Sequence, residues 1–184
     1  MSDRTYIGLI RGINVGKAKR VAMADLRKLV EDLGCGNVRT LLNSGNMVFT
    51  YDTKRADGIA AKIESGIEKK LGVAARVTVI SDDELAEIVA KNPLLKIADN
   101  HSRLMVTVLT DPADRKKLQS LEKENWKPDA LAIGKRVAYV WCTGGILDSK
   151  LFDSIARIIK DGATSRNWAT ILKLHALSSN HGHG

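Results

Sequence analysis

Val38-Arg39-Thr40-Leu41-Leu42-Asn43-Ser44-Gly45-Asn46-Met47-Val48-Phe49-Thr50-Tyr51 reads as two strands folded back on one another. Val38–Leu42 and Met47–Tyr51 are rich in the β-branched and aromatic residues that favour extended chain. Between them, Asn43-Ser44-Gly45-Asn46 consists of residues that accept turns and positive φ, so the chain reverses there. On both sides of this hairpin the apolar period lengthens from two to nearly four. Met23, Leu26, Leu29, Val30 and Leu33 mark one face of a helix that stops at Gly34. Ile59, Ile63, Ile67 and Leu71 mark a second helix, ended by Gly72. Tyr6–Ile10 and Ala75–Ile80 supply the outer strands. The order strand, helix, strand, strand, helix, strand is the split-βαβ, ferredoxin-like pattern.

Further along, Ser81-Asp82-Asp83-Glu84 forms a capping box that opens a linker helix ending at Asn92-Pro93. The pattern then repeats. Leu104–Leu109 is a strand, and Asp111-Pro112 places an N-cap before a proline at the first helical position. Leu131–Ile133 and Val137–Trp141 flank Gly134-Lys135, a short hairpin signal. Leu151, Phe152, Ile155, Ile158 and Ile159 mark another helix. An eighth strand is not legible; Gly162-Ala163-Thr164-Ser165 stands in its place, with Ser165 read as the cap of a last helix carrying Trp168, Ile171, Leu172 and Leu174. The expected class is α+β, with two ferredoxin-like halves built on antiparallel sheets plus a C-terminal helix. The halves are 1–92 with the linker helix and 103–177 with the last helix, followed by a frayed tail, 178–184.

Composition sets bounds on function. A chain of 184 residues with 44% hydrophobic and 27% charged residues is globular and long enough for a sizeable core. No stretch approaches the ~20 apolar residues of a membrane span, and Met1-Ser2-Asp3-Arg4 enters a strand without an apolar leader. Cys35 and Cys142 lack metal or redox spacing and read as reduced, buried thiols. A cytoplasmic location is therefore expected. The net charge of +8 favours polyanionic partners.

That charge gathers at one junction. Arg11-Gly12-Ile13-Asn14-Val15-Gly16-Lys17-Ala18-Lys19-Arg20 lies between the first strand and first helix, with two glycines, four cations and no acid. Free N–H groups and close backbone approach suit an anion there, while a capped turn with solvated cations is the plain alternative. The loop is not a nucleotide P-loop, because Gly12 to Gly16-Lys17 is one residue short and Ala18 offers no hydroxyl to magnesium. A dinucleotide-binding glycine fingerprint is also absent.

In a split-βαβ sheet the first and third strands are antiparallel neighbours. The Arg11–Arg20 loop and the Asn43–Asn46 turn should therefore share one rim, with the Gly72 turn beside them. By the same reasoning Asp111, Gly134-Lys135 and Thr164–Trp168 should share a rim in the second half. Asn43, Ser44, Gly45 and Asn46 read first as turn chemistry, with a ligand-donor role the alternative. Arg166 and Asn167, placed in the first turn of the last helix, would add a cation where the helix dipole disfavours one. Such a residue is either paired within the protein or kept for a ligand. Phe49, Tyr51 and Trp168 are assigned to packing rather than base stacking, and His101, His175, His181 and His183 show no metal-ligand spacing.

Three motifs in order resemble a known family: Arg11-Gly12-Ile13-Asn14-Val15-Gly16 with Met23-Ala24-Asp25-Leu26 and Leu33-Gly34, then Val38-Arg39-Thr40 with Asn43–Asn46, then Ser165-Arg166-Asn167-Trp168-Ala169-Thr170 with Lys173-Leu174. Together they are similar to the bacterial domain-of-unknown-function family numbered 1697, over nearly the whole chain. The resemblance implies a cytoplasmic α+β domain without an assigned activity. Lys17-Ala18 departs from the additional glycine that members often carry.

The leading expectation is a binding protein for a phosphate-containing ligand, most directly nucleic acid, through Arg11, Gly12, Asn14, Gly16, Lys17, Lys19 and Arg20, with Arg166 as a second contact. An enzyme acting on a small phosphorylated or carboxylated metabolite is the alternative, with Arg11 and Arg166 clamping the anion while Asn43, Ser44 and Asn46 orient it. A third reading is an oligomerisation domain that uses exposed sheet faces. No catalytic residue, cofactor, metal or membrane partner is assigned.

Overall fold

The computed structural model describes residues 2–14 and 19–180. They form two compact units: the chain up to Leu85 together with residues from Leu174 onward, and Ala86–Lys173.

In the first unit the order is β1 (Asp3–Arg11), α1 (Met23–Asp32), β2 (Gly36–Leu41), β3 (Asn46–Asp52), α2 (Ile59–Leu71) and β4 (Arg76–Ser81). The strands form one sheet in the order β2-β3-β1-β4, antiparallel at every pairing. Leu26, Leu29 and Val30 of α1 and Ile59, Ile63 and Ile67 of α2 pack with Tyr6, Ile10, Met47, Phe49 and Tyr51 on one face of it. Tyr6 and Phe49 stack with ring centroids 6.1 Å apart, and Phe49 and Tyr51 lie in the core, the packing role assigned to them from the sequence. Gly72, at φ +69°, ends α2 in the left-handed conformation expected of it. β2 holds an extra residue: it advances three positions from Gly36 to Arg39 while β3 moves only from Thr50 to Val48.

α3 (Asp82–Ala90) follows β4. The capping box is present, with Ser81 N–H donating to Glu84 Oε1 and Glu84 N–H to Ser81 Oγ, both at 3.2 Å. Arg4 reaches from β1 to Asp82 and Asp83 in the first turn, where acidic side chains already complement the helix dipole.

The second unit contains β5 (Leu104–Leu109), α4 (Arg115–Leu118) between short 3-10 turns, β6 (Ala130–Ile133), β7 (Val137–Trp141), α5 (Lys150–Ile159) and β8 (Ala163–Asn167). α6 (Trp168–Ser179) closes the chain. The sheet order is β6-β7-β5-β8, again antiparallel throughout. The repeat is therefore complete, and an eighth strand exists where none was legible. β8 escapes a hydrophobic reading because the backbone ladder to β5 and a 2.8 Å hydroxyl contact, Thr107 Oγ1 to Ser165 Oγ, hold it in place of a run of apolar residues. Ser165 lies inside this strand and does not cap α6. That cap is Asn167, whose Oδ1 accepts the Thr170 N–H at 2.9 Å. The β6–β7 turn is also displaced by one residue, since Gly134 N–H donates to Val137 O and leaves Lys135-Arg136 at the tip.

Both faces of each sheet are buried. Away from α1 and α2, Ile7, Leu9, Val48 and Ile80 are buried, and away from α4 and α5 so are Leu104, Val106, Val108, Tyr139 and Trp141. Tyr139 Oη donates to Ile88 O of α3 at 2.8 Å. The sheet faces that an oligomerisation reading would use are thus not exposed. No described helix is long and apolar enough to cross a membrane.

Candidate functional site

β1 and β3 pair from Asp3 opposite Asp52 to Leu9 opposite Asn46, so the loop leaving β1 and the turn entering β3 meet at one end of the sheet. Ile10 N–H donates to Gly45 O at 2.8 Å. Gly45, at φ +82°, has no room for a side chain: a β-carbon there would lie 2.8 Å from Ile10 Cβ and 3.1 Å from Ile10 O. Its close approach is what brings the two segments together.

Asn14 then joins them through its side chain. Its Nδ2 donates to Asn43 O at 2.7 Å and to Val21 O at 3.0 Å, and its Oδ1 accepts the Val21 N–H at 2.8 Å. Its own N–H donates to Lys19 O at 2.9 Å, and it sits at φ +54°, a conformation asparagine tolerates better than most residues. The amide expected to meet a ligand is therefore engaged in closing the loop. Asn46 is likewise engaged: it is fully buried, and its Nδ2 donates to Leu41 O at 3.0 Å and Ser44 Oγ at 2.9 Å. The turn-chemistry reading describes these contacts.

Around this latch, Arg11, Lys19, Arg20, Asn43 and Ser44 are exposed. Gly16 and Lys17, two further expected ligand residues, lie outside the described residues. Gly12, at φ +90°, approaches the turn after α2, where its β-carbon would meet Ala74 O at 3.8 Å. That contact identifies cations which the sequence reading did not include. The last turn of α2 carries exposed Lys69 and Lys70, and exposed Arg76 opens β4 opposite Arg11. Glu64 moderates the group: its Oε2 lies 4.0 Å from Arg76 Nη1, while its Oε1 accepts the Val77 N–H at 2.7 Å. The usable signal was Lys69-Lys70, one residue short of Gly72, a turn already placed on this rim.

Arg166 and Asn167 do not sit as expected. Both belong to the second unit's edge strand β8, where Arg166 pairs with Val106 and Asn167 with Met105. Asp111 and the β6–β7 turn lie beyond Leu109, toward the other end of β5; Gly162, whose carbonyl accepts the Thr110 N–H, is there too. The expected second rim thus keeps the start of β8 and loses Arg166 and Asn167. Arg166 shares its sheet face with Val106 and Tyr139, and burial pushes its guanidinium down to about 10. Its Nη1 donates to Ser165 O at 2.9 Å.

Among the described residues, no group of three or more His, Cys, Asp or Glu is placed to hold a metal ion. His181 and His183 lie outside the described residues. Cys35 and Cys142 are free and buried, and burial raises each thiol to about 11, far from a thiolate nucleophile at neutral pH.

Two split-βαβ sheets, one ending in a rim that carries Arg11, Lys19, Arg20, Lys69, Lys70 and Arg76, define an α+β protein. The chain belongs to the family described as "Protein of unknown function (DUF1697)", whose model matches residues 4–139. The C-terminal motif Ser165–Leu174 falls outside that match. The conserved bacterial protein SP0830 from Streptococcus pneumoniae has a similar fold, with a TM-score of 0.79 at 22% identity over 96% of this chain and 99% of that one. No curated protein matches the sequence.

Proposed function

We propose that the rim at the Arg11 end of the first sheet binds a phosphate-containing ligand. The observation that carries this reading is the Asn14 latch. It holds the basic loop against the β2–β3 turn, at the sheet end where Lys69, Lys70 and Arg76 also arrive. Cations gathered on a rigid scaffold lose less freedom on binding than cations on a mobile loop. Each adds to the potential that attracts a polyanion. The metabolite-enzyme reading is weaker here, because Asn46 is spent inside its turn and is not available to orient a substrate.

Binding to an oligonucleotide, measured by fluorescence anisotropy across a salt series, tests the reading. Affinity should fall linearly with salt on a log–log plot, and Arg11→Ala/Lys19→Ala/Arg20→Ala should flatten the slope by about 2 for a single strand. Binding that ignores both salt and the triple substitution would overturn it.

A further inference from the structure

Few large apolar side chains are exposed among the described residues: Leu42, Leu95, Ile97, Ile146 and Leu147. Of these, Leu42 belongs to the first unit, on the basic rim. It is the first residue of the β2–β3 turn, 52% exposed, and its neighbour Asn43 accepts the Asn14 hydrogen bond that ties the turn to the loop of Lys19 and Arg20. Its φ is +59°, a left-handed conformation that suits glycine and strains a leucine. Glycine at this position would relieve the strain and remove the exposed apolar surface together. Arg39 is exposed on β2 three residues earlier.

We propose that Leu42 is an apolar wedge that makes this rim a site for single-stranded nucleic acid. Phosphates would sit on Arg11, Lys19 and Arg20, with an unstacked base against Leu42 and the exposed Asn43 beside it. The inference rests on the phosphate-binding reading above and adds what that reading lacks, a contact that tells a base from a bare phosphate chain. Charge complementarity selects a polyanion, and apolar side chains such as leucine serve elsewhere as wedges that enter between base steps and unstack them. A lone leucine is poor anchorage in a bilayer, where stable attachment takes a larger apolar face or a second signal.

The test compares oligothymidylate with an abasic oligonucleotide of the same length, on the wild-type protein, Leu42→Gly and the Arg11/Lys19/Arg20 triple variant, at low salt. Leu42→Gly should weaken oligothymidylate binding about fivefold (about 1 kcal/mol) and leave abasic binding and the salt slope unchanged. Its melting temperature should equal or exceed wild type, which separates a lost contact from a damaged fold. Equal losses on both oligonucleotides, or no loss on either, would overturn the wedge while the triple variant still reported on the rim. Binding of inorganic phosphate without either oligonucleotide would overturn the nucleic-acid assignment and leave the rim reading standing. Leu42-dependent binding to phosphatidylserine vesicles in place of oligonucleotides would assign the surface to a membrane. No binding to any of these probes would overturn both proposals.

Discussion

Asn14 carries three side-chain hydrogen bonds that no other residue type could reproduce together, two as donor and one as acceptor. Alanine would leave the Val21 N–H and the Val21 and Asn43 carbonyls short of a partner and place a worse residue at positive φ. Asn14→Ala should therefore cost about 2–4 kcal/mol in urea denaturation. Asn14→Asp, which keeps the acceptor and loses the donor, should recover only part of that. A loss below about 0.5 kcal/mol would mean the latch does not hold the loop. The latch was not legible in the sequence. Asn14 stood out there as a candidate ligand donor, but its partner Asn43 is 29 residues away, and the direction of an amide follows from strand pairing rather than from spacing. Gly45 was legible as a turn residue; what could not be read was its contact with Ile10, the crowding that makes glycine obligatory there.

At the scale of elements, the parts announced by period and punctuation are the ones that local chemistry decides: the two apolar helix faces, the Gly72 stop and the Ser81–Glu84 capping box. β8 failed that test for a physical reason. Ser and Asn favour a cap or turn locally and Arg has little strand preference, and the open edge of an otherwise apolar β5 overrode that. The consequence at the next junction is measurable. If Asn167 rather than Ser165 starts α6, Asn167→Ala should lower stability by about 1 kcal/mol, and Asn167→Asp or Asn167→Ser should restore most of it. Full stability in Asn167→Ala, read by thermal melting followed by circular dichroism, would return the cap to another residue. Arg166 moves with its element: displaced from a helix start into a strand, it changes from a cation awaiting an anion into a long side chain laid along a buried sheet face.

The whole molecule responds to alkali through groups that no proposed site uses. Burial raises the Cys35 and Cys142 thiols to about 11 and the Tyr139 hydroxyl to about 12. The folded chain keeps these protons over a range where the unfolded chain, whose thiols titrate near 9, has lost them. Stability is therefore full below about pH 9 and falls toward about pH 11, at up to about 1.4 kcal/mol per pH unit for each thiol. Urea midpoints under reducing conditions should drop between about pH 9 and about pH 11, whereas a flat profile would mean both thiols ionise freely in the folded protein.

Among the described residues each sheet is open, with β2 and β4 at the edges of the first and β6 and β8 at the edges of the second, and the extra residue in β2 gives the first sheet's edge an uneven profile. Asn37, inside that irregular stretch, adopts φ +48°, and Arg39 presents a charge just past it. A strand arriving from another molecule would meet misaligned hydrogen-bonding groups and a cation that a polypeptide backbone cannot neutralise. An irregular, charged edge of this kind is a poor template for a further strand, which is how sheets avoid growing from chain to chain.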